Sequence, residues 1–324
     1  MQQVKPFGKT QGGGVVEHIT LSGHGLTVGV LTFGAALQSV RLQGVAHDLT
    51  LGSENLTDYE GAYGFHGTIV GPVANRLADA RAVIDGVPYS FAANEASGHL
   101  LHGGAQGTHA QVWQIAKLTA DSVTLVLTLE GDGFPGRREV RATYALVAEG
   151  CLELRLTATT DAPTLMNFAQ HGYWNLDGTD TWDGHWLQVA ADHYLPTDAA
   201  LLPTGEARAV AGTDFDFRKG RQIGINAPFI DNNFCLSRAP GALRDVVWLT
   251  GQSGLRLTFA TTDTGVQVFN GPQGVRGTMP HGGIAIEAQG WPDAPNRPDF
   301  PSIAFAPGQT YGQTTRWGFG RSAQ

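Results

Sequence analysis

Apolar and polar residues alternate with a period of two in several stretches, which is the pattern of a β-strand with one buried face. At residues 122–130, Val123, Leu125, Leu127 and Leu129 alternate with Thr124, Thr128 and Glu130. Residues 152–157 and 255–259 repeat the alternation, and residues 139–147 are a further strand candidate between the first two stretches. The pattern predicts antiparallel sheet with one face in contact with water.

The N-terminal part predicts a β-meander. Strand-like runs cover residues 15–21, 26–33 and 37–42, with glycines at 23, 25, 34 and 44 between them. Residues 53–59 are compatible with one or two helical turns, and no long stretch has helical spacing. No Gly-x-Gly-x-x-Gly follows a strand and there is no P-loop, which excludes the common nucleotide-binding folds. We therefore predict a mainly β protein, a large antiparallel β-sandwich with few short helices, in a single domain over residues 1–324.

Residues 166–176 combine an apolar and a polar face. If the stretch is extended, its two faces carry Met166, Phe168, Trp174 and Leu176 on one side and Asn167, His171, Tyr173 and Asn175 on the other. The polar side places one titratable imidazole among hydrogen-bonding groups, which resembles the floor of a site for a polyhydroxylated ligand. The alternative is a strand in which His171 only satisfies local hydrogen bonds.

A second stretch, residues 284–289, has the same design. Ile284, Ile286 and Ala288 share one face, while Glu287 and Gln289 share the other. Two strands that each bury an apolar face and present an acid–base group can meet in one sheet. The pattern therefore favours a common site for His171 and Glu287.

Composition narrows the class of protein. Of 324 residues, 15% are charged and 44 are glycine, which favours strands and tight turns. The formal net charge of -8, without a basic cluster, argues against a nucleic-acid partner. The two cysteines, Cys151 and Cys235, provide neither a disulfide framework nor metal-site spacing. No signal peptide and no apolar run of transmembrane length is visible, so we expect a soluble, cytoplasmic protein.

Two further side chains are candidates for ligand binding. Arg76 lies among small apolar residues, and its planar guanidinium suits bidentate contacts to hydroxyls or carboxylates. The alternative is an ordinary surface ion pair. His102 precedes two glycines at a predicted strand end, where backbone can approach a ligand. A structural histidine is the alternative, and no zinc-binding spacing accompanies it.

A series of short motifs resembles the aldose 1-epimerases, also called galactose mutarotases. In chain order the motifs are Asn75-Arg76, Leu101-His102-Gly103-Gly104, His171-Gly172-Tyr173-Trp174-Asn175-Leu176, Asp231-x-x-Phe234, Gly265-Val266-Gln267, Glu287-Ala288-Gln289, Pro292-Asp293-Ala294-Pro295-Asn296 and Phe300-Pro301. Each motif is weak alone, but together they span most of the chain in the family's order.

The resemblance implies a large antiparallel β-sandwich whose open concave face holds a monosaccharide. By position, His171 is similar to the family's general acid and Glu287 to its general base. The residues that resemble hydroxyl-binding positions are Asn75, Arg76, His102, Asp231 and Gln267. We expect a monomer or a homodimer with no membrane partner.

Two positions depart from the family pattern. Asn232 follows Asp231, where the family often has an aromatic residue or histidine, and Ala80 stands where a glycine is common. The first departure bears on sugar preference, because Asp231 and its neighbour are expected near the ring hydroxyls. Neither departure affects the acid–base pair.

The expected chemistry is exchange of the two anomers of a cyclic hemiacetal. A proton must leave the C1 hydroxyl and another must reach the ring oxygen, after which the aldehyde rotates about C1–C2 and the ring closes on the other face. One carboxylate and one imidazolium on opposing sides of the ring suffice, so we expect neither a metal ion nor a cofactor. Histidine suits the acid because its ordinary pKa of about 6.5 leaves a protonated fraction near neutrality.

Three rival functions remain open from the sequence. A glycoside hydrolase needs two carboxylates, for which Glu287 and Asp231 are available, but it gives His171 no clear task. A non-catalytic sugar-binding sandwich needs only hydroxyl donors and acceptors. An epimerase for sugar phosphates needs several Arg or Lys around the phosphate, and only Arg76 is an obvious candidate.

Overall fold

Nearly all regular structure in this protein is β-strand. The computed structural model describes residues 3–226, 228–271 and 280–321. Up to residue 170 the strands are β1 (Val4–Lys9), β2 (Val15–Gly23), β3 (Leu26–Leu31), β4 (Leu37–Leu42), β5 (Ile69–Val70), β6 (Arg76–Leu77), β7 (Arg81–Ile84), β8 (Val87–Ser90), β9 (Leu100–Leu101), β10 (Gln114–Leu118), β11 (Ser122–Leu129), β12 (Arg138–Ala148), β13 (Cys151–Thr160), β14 (Thr164–Leu165) and β15 (Ala169–Gln170).

The remaining strands follow the same order along the chain. They are β16 (Tyr173–Trp174), β17 (Trp186–Val189), β18 (His193–Tyr194), β19 (Arg208–Ala209), β20 (Arg221–Gln222), β21 (Asp231–Cys235), β22 (Arg244–Thr250), β23 (Leu255–Thr261), β24 (Gly265–Phe269), β25 (Ile284–Gln289), β26 (Ala304–Phe305) and β27 (Tyr311–Arg321). The helical elements are short: α1 (Leu56–Tyr59) and the 3₁₀ turns Ala78–Ala80, Thr108–Ala110 and Ala294–Asn296. In the described ranges no helix is long and apolar enough to cross a membrane.

Three sheets form the body of the described structure, and their strand pairs are antiparallel. The largest has the order β10-β11-β12-β13-β27-β23-β22-β17-β20, the second β16-β25-β24-β21-β18-β19, and the third is the meander β1-β2-β3-β4. The shorter pairs are β14-β26, β15-β5, β6-β9 and β7-β8. This architecture confirms the predicted mainly β antiparallel fold. The meander is also confirmed, with β1 as an additional strand that the pattern did not indicate.

The nine-stranded sheet follows the period-two pattern closely. In β11, every second residue from Val123 onward is buried, and the residues between them are half-buried or exposed. Thr124 and Thr143 share a 2.9 Å hydrogen bond on the wetter face. The apolar faces of all three sheets contribute to one buried cluster, which includes Val28, Leu154 and Ile286. Burial of these faces holds the sheets together.

The six-stranded sheet differs because both of its faces are covered at the centre. Every residue of β25 is buried. The register places Gln267 of β24 opposite Glu287 of β25, and Asn233 of β21 opposite Gln267. Directly paired residues point to the same side of a sheet. One covered face therefore carries a row of three polar side chains.

Residues 166–176 do not form the single strand that their alternation predicts. They contribute β15 to one pair and β16 to the six-stranded sheet, with His171 and Gly172 between. The strand is interrupted because the Gly172 N–H donates to Oε1 of Gln170 at 3.0 Å instead of to a neighbouring strand. The predicted meeting of the two stretches is nevertheless confirmed, since Tyr173 of β16 pairs with Ala285 of β25.

Candidate active site

A cavity of about 150 Å³ opens on the polar face of the six-stranded sheet. Its polar lining consists of Asn75, Arg76, His102, His171, Asp231 and Glu287. Its apolar and aromatic lining consists of Phe65, Leu101, Tyr173 and Phe269. Six of the seven residues that the sequence singled out therefore surround one cavity, while Gln267 lies beside it and contacts Asp231.

Glu287 is the buried carboxylate of the cavity. Glu287 is only 2% exposed, and its Oε2 has no hydrogen-bond partner among the described residues. Burial, followed by the nearby charge of Asp231, raises the pKa of Glu287 well above its ordinary value, and the Arg76 charge opposes this only in part. Such a carboxylate is a stronger base than one in water.

His171 lies beside Glu287. Its Nε2 is 3.4 Å from Oε1 of Glu287, and both side chains are almost fully buried. The imidazole stacks on Tyr173 on one side, with ring centroids 5.0 Å apart, and on Phe65, with centroids 6.0 Å apart. The aromatic neighbours fix the plane of the imidazole. The 3.4 Å distance makes His171 and Glu287 adjacent groups in the lining of the cavity.

His102 has a defined tautomer. The backbone N–H of Asn75 donates to Nδ1 of His102 at 3.1 Å, so Nδ1 carries no proton and Nε2 carries the hydrogen of the neutral ring. The backbone at His102 has a φ of 54°, and at Gly103 a Cβ would lie 2.2 Å from the carbonyl oxygen of Gly71. Glycine is therefore required there for the tight turn after β9. The close approach is to the backbone of Gly71, so the approach of backbone to a ligand at this strand end stays a prediction.

His102, His171 and Glu287 each offer a possible metal-ligand atom, and these atoms lie within 4.8 Å of one another. The hydrogen bonding of His102 does not fit a metal site, however. A metal-bound imidazole normally donates its other N–H to an acceptor, whereas Nδ1 of His102 faces the N–H donor of Asn75. The arrangement favours His102 as a hydrogen-bond donor through Nε2.

Arg76 is not the surface ion pair that the sequence left as an alternative. Its side chain is 12% exposed, and its Nε and Nη2 donate to both carboxylate oxygens of Glu95 at 2.9 and 3.0 Å. Its Nη1 is 3.8 Å from Oδ2 of Asp231. The Arg76 backbone is fixed from another side, because its carbonyl accepts the N–H of Asp293 in the loop after β25. Arg76 thus lies between two carboxylates at the cavity wall.

Asp231 is held by Gln267, whose Nε2 donates to Oδ1 of Asp231 at 2.6 Å. Burial raises the pKa of Asp231, although the charge of Arg76 and the bond from Gln267 oppose the shift. The expectation that Asn232 also faces the ring hydroxyls is wrong. Because strand residues alternate, Asn232 points away and its amide donates to the carbonyl of Leu195 at 3.0 Å.

The other departure has a backbone explanation. Ala80 has a φ of 49°, a left-handed conformation that glycine adopts at lower cost. Ala80 does not line the cavity.

Sequence reasoning missed three residues of the site: Phe65, Phe269 and Glu95. The two aromatic residues carry no signal that separates them from core residues. Glu95 does carry one, because it is the only Asp, Glu, Lys or Arg between Asp85 and Lys117. An isolated charge in such a long uncharged stretch often has a specific partner.

The cavity also bears on the sugar-phosphate alternative. Among the described residues that line it, Arg76 is the only Lys or Arg, and two carboxylates flank its guanidinium. A phosphate site normally brings several cationic donors together. The charge of this cavity therefore disfavours a phosphorylated substrate.

Comparison with known proteins gives one consistent result. The family model described as aldose 1-epimerase matches residues 17–317. The chain is 34% identical to galactose mutarotase of Rattus norvegicus over 95% of both chains, and 32% identical to aldose 1-epimerase of Escherichia coli K12 over 91% of this chain and 92% of that one. The crystal structure of galactose 1-epimerase from Lactobacillus acidophilus superposes with a TM-score of 0.87 and 27% identity, covering 99% of this chain and 98% of the other. The chain therefore belongs to the aldose 1-epimerase family, and it is an isomerase that interconverts the anomers of an aldose.

Proposed function

We propose that this isomerase acts on free hexoses, galactose and glucose among them, with His171 as general acid and Glu287 as general base. The observation that carries the proposal is the 3.4 Å separation of His171 Nε2 and Glu287 Oε1 at the wall of one cavity. The names of the relatives from rat and Lactobacillus acidophilus support galactose as a substrate.

The two groups are adjacent, and the two oxygens on which they act, the C1 hydroxyl and the ring oxygen O5, are both bonded to C1 of the sugar. In the proposed reaction, Glu287 takes the proton from the C1 hydroxyl while His171 donates a proton to the ring oxygen. The C1–O5 bond breaks and C1 becomes an aldehyde. After rotation about C1–C2, the O5 hydroxyl attacks the other face and both protons return. Each positioned proton transfer contributes about 10²- to 10⁴-fold to the rate.

The remaining polar residues are proposed to hold the sugar. His102 offers an Nε2 hydrogen, Arg76 offers cationic N–H groups and Asp231 offers carboxylate oxygens. Asn75 contributes its backbone N–H to His102, and Gln267 orients Asp231 through the 2.6 Å bond. These last two residues are therefore assigned supporting parts in the binding of hydroxyls.

Polarimetry on freshly dissolved α-galactose and α-glucose tests the proposal. We expect acceleration of the approach to anomeric equilibrium for both sugars. A methyl glycoside is the control, because its C1 oxygen has no proton for Glu287 to take. We expect neither mutarotation nor hydrolysis of it, and only weak competitive inhibition. Release of reducing sugar from the methyl glycoside, without acceleration of the free sugar, would overturn the proposal in favour of a glycoside hydrolase.

A cytoplasmic location and a monomeric or homodimeric state complete the proposal. The formal charge of -8 gives no support for a nucleic-acid partner. Light scattering on the purified protein measures the oligomeric state directly, and a mass above that of two chains would contradict it.

A further inference from the structure

The Arg76 guanidinium is shared unequally between two carboxylates. Nε and Nη2 donate to Glu95 at 2.9 and 3.0 Å in a bidentate pair, whereas Nη1 is 3.8 Å from Asp231. A bidentate pair fixes both the position and the plane of the guanidinium. Glu95 therefore determines which N–H groups of Arg76 point toward Asp231 and the cavity.

The chain places Glu95 against Arg76 through its neighbour Asn94. The Asn94 side chain accepts the N–H of Leu101 at 2.7 Å and donates to the Leu101 carbonyl at 3.0 Å. Leu101 of β9 is in turn the strand partner of Arg76 of β6. The residues on either side of Glu95 are exposed, whereas its own side chain is only 21% exposed. The loop is thus anchored so that one acidic side chain turns inward.

The position of Glu95 also affects the charge of the site. Arg76 lies close enough to lower the pKa of both Asp231 and Glu287, and Glu95 has the opposite effect on Asp231. Arg76 is the only Lys or Arg in the described lining of the cavity. Without Glu95, the charge of Arg76 would be less compensated. The cation would then attract anionic ligands, and it would lower the pKa of Glu287 more strongly and so make Glu287 a weaker base.

We propose that Glu95 is a positioning and specificity-determining residue. Its carboxylate holds Arg76 beside Asp231 and cancels the positive charge of Arg76. As a result, Arg76 binds neutral hydroxyls and does not attract anionic sugars. The inference rests on the proposed binding of a free hexose in this cavity. Glu95 acts through Arg76 and does not itself contact the reacting atoms.

The test compares Glu95→Gln with wild type on galactose and galacturonate, two reducing sugars that differ in the charge at C6. Gln keeps the size of the side chain but removes its charge. We expect KM for galactose to rise about 10-fold, as for the loss of a charge-assisted hydrogen bond. We expect the preference for galactose over galacturonate, as a ratio of kcat/KM, to fall by a similar factor. The acidic limb of the pH profile of kcat/KM should move to lower pH.

Three variants separate positioning from a general loss of structure. Glu130→Gln removes a similar carboxylate from the exposed pair with Arg137, and it should change neither the preference nor the pH profile. Glu95→Asp keeps the charge and should retain the preference for the neutral sugar. In an Arg76→Gln background, Glu95→Gln should have little additional effect, because the residue through which it acts is already absent.

Equal loss of activity toward both sugars with an unchanged pH profile would overturn the proposal, as would an additive effect in the Arg76→Gln background. Equilibrium binding of galactose and galacturonate, measured by calorimetry, repeats the comparison without catalysis. If wild type binds galactose but does not accelerate mutarotation, the proposed function fails. The role of Glu95 is then still tested by the affinities of wild type and Glu95→Gln for galactose and galacturonate. Unchanged relative affinities in Glu95→Gln would then contradict it.

Discussion

Among the described residues, two buried histidine–carboxylate pairs have almost the same separation between nitrogen and oxygen. His171 Nε2 lies 3.4 Å from Glu287 Oε1 at the cavity, and His185 Nδ1 lies 3.5 Å from Asp177 Oδ2 elsewhere in the fold. All four side chains are largely buried. A short distance between an imidazole and a carboxylate therefore does not by itself identify a site.

The carboxylate of the second pair is satisfied by its surroundings, although Nδ1 of His185 has no hydrogen-bond partner among the described residues. Asp177 accepts the backbone N–H groups of Gln252 and Ser253 at 2.8 and 3.0 Å, and Nε2 of His185 accepts the N–H of Leu176 at 3.0 Å. Burial alone would raise the pKa of Asp177, but the hydrogen bonds from Ser253 and Gln252 and the nearby His185 lower it overall. This pair holds the turn between β22 and β23, and neither residue lines the cavity that contains Glu287.

The cavity pair has the opposite properties. Oε2 of Glu287 has no partner in the described part of the chain, and burial raises the pKa of this carboxyl. A folded protein rarely leaves a buried carboxylate oxygen without a partner unless a ligand or water completes it. The two pairs therefore differ in their carboxylates: that of Glu287 has an oxygen without a partner and a raised pKa, whereas that of Asp177 is hydrogen-bonded and has a lowered pKa.

The largest expected effect is that of Glu287→Gln on the rate. The amide keeps the shape of the side chain but cannot accept the C1 proton, so kcat should fall by about 10²- to 10⁴-fold with KM little changed. Polarimetry with fresh α-galactose measures both constants. Asp177→Asn is the matched control and should leave kcat unchanged, because it makes the same substitution in the other pair. A near wild-type kcat for Glu287→Gln would remove Glu287 from the mechanism.

For His171→Asn we expect a loss in kcat of similar size, since the proton for the ring oxygen is lost. Residues that act in one step have strongly non-additive effects. The double variant with Glu287→Gln should therefore be scarcely slower than either single variant. An effect confined to KM would make His171 a binding residue, and His185→Asn should change protein stability without changing kcat.

The period-two pattern predicted the sheets well because alternation reports a buried face directly. It could not show what covers the polar face. Residues 255–261 and 284–289 alternate alike in sequence, yet Arg256 is half-buried and Glu287 is fully covered. The covering side chains, such as Phe65 and Arg76, come from about 200 residues earlier in the chain, and no local pattern records that contact.

The candidate residues of the site were predicted mainly from sequence motifs. The distances and contacts between their side chains were not predicted. The sequence indicated His171 and Glu287, but it did not show that their side chains lie 3.4 Å apart. That the two groups act on opposing sides of the sugar ring stays a prediction. It also left open whether Arg76 forms a surface pair, because the bidentate contact with Glu95 depends on how a loop folds back. The assignment of one domain to residues 1–324 stays a prediction.

Asp231→Ala is expected to have an intermediate effect, on binding. If Asp231 accepts hydrogen bonds from sugar hydroxyls, its removal costs about 1.5–3 kcal/mol. KM should rise with little change in kcat, and the ratio of kcat/KM between galactose and glucose should shift. Gln267→Ala tests the support of Asp231 and should give a smaller rise in KM. Equal weakening toward both sugars would show that Asp231 does not discriminate between them.

The smallest expected effect concerns stability, and it has opposite signs in the two pairs. Asp177 has a lowered pKa in the folded state, so its contribution is present above its ordinary value of 3.8 and is lost as the pH falls through the folded pKa. Asp177→Asn should therefore cost about 1–2 kcal/mol near neutral pH, and the difference from wild type should shrink in acid.

Glu287 has a raised pKa in the folded state, so this carboxyl binds a proton more tightly in the folded protein than in the unfolded chain. Its ionisation above pH 4.5 therefore disfavours folding. Glu287→Gln should then unfold at the same or higher denaturant concentration than wild type, with a gain that grows as the pH rises from 4.5 through the folded pKa. Urea unfolding of wild type and both variants between pH 3 and 8 measures the two trends. If Glu287→Gln lost stability in parallel with Asp177→Asn, the carboxylate of Glu287 would be as well satisfied as that of Asp177. The contrast that marks the cavity pair as functional would then be wrong.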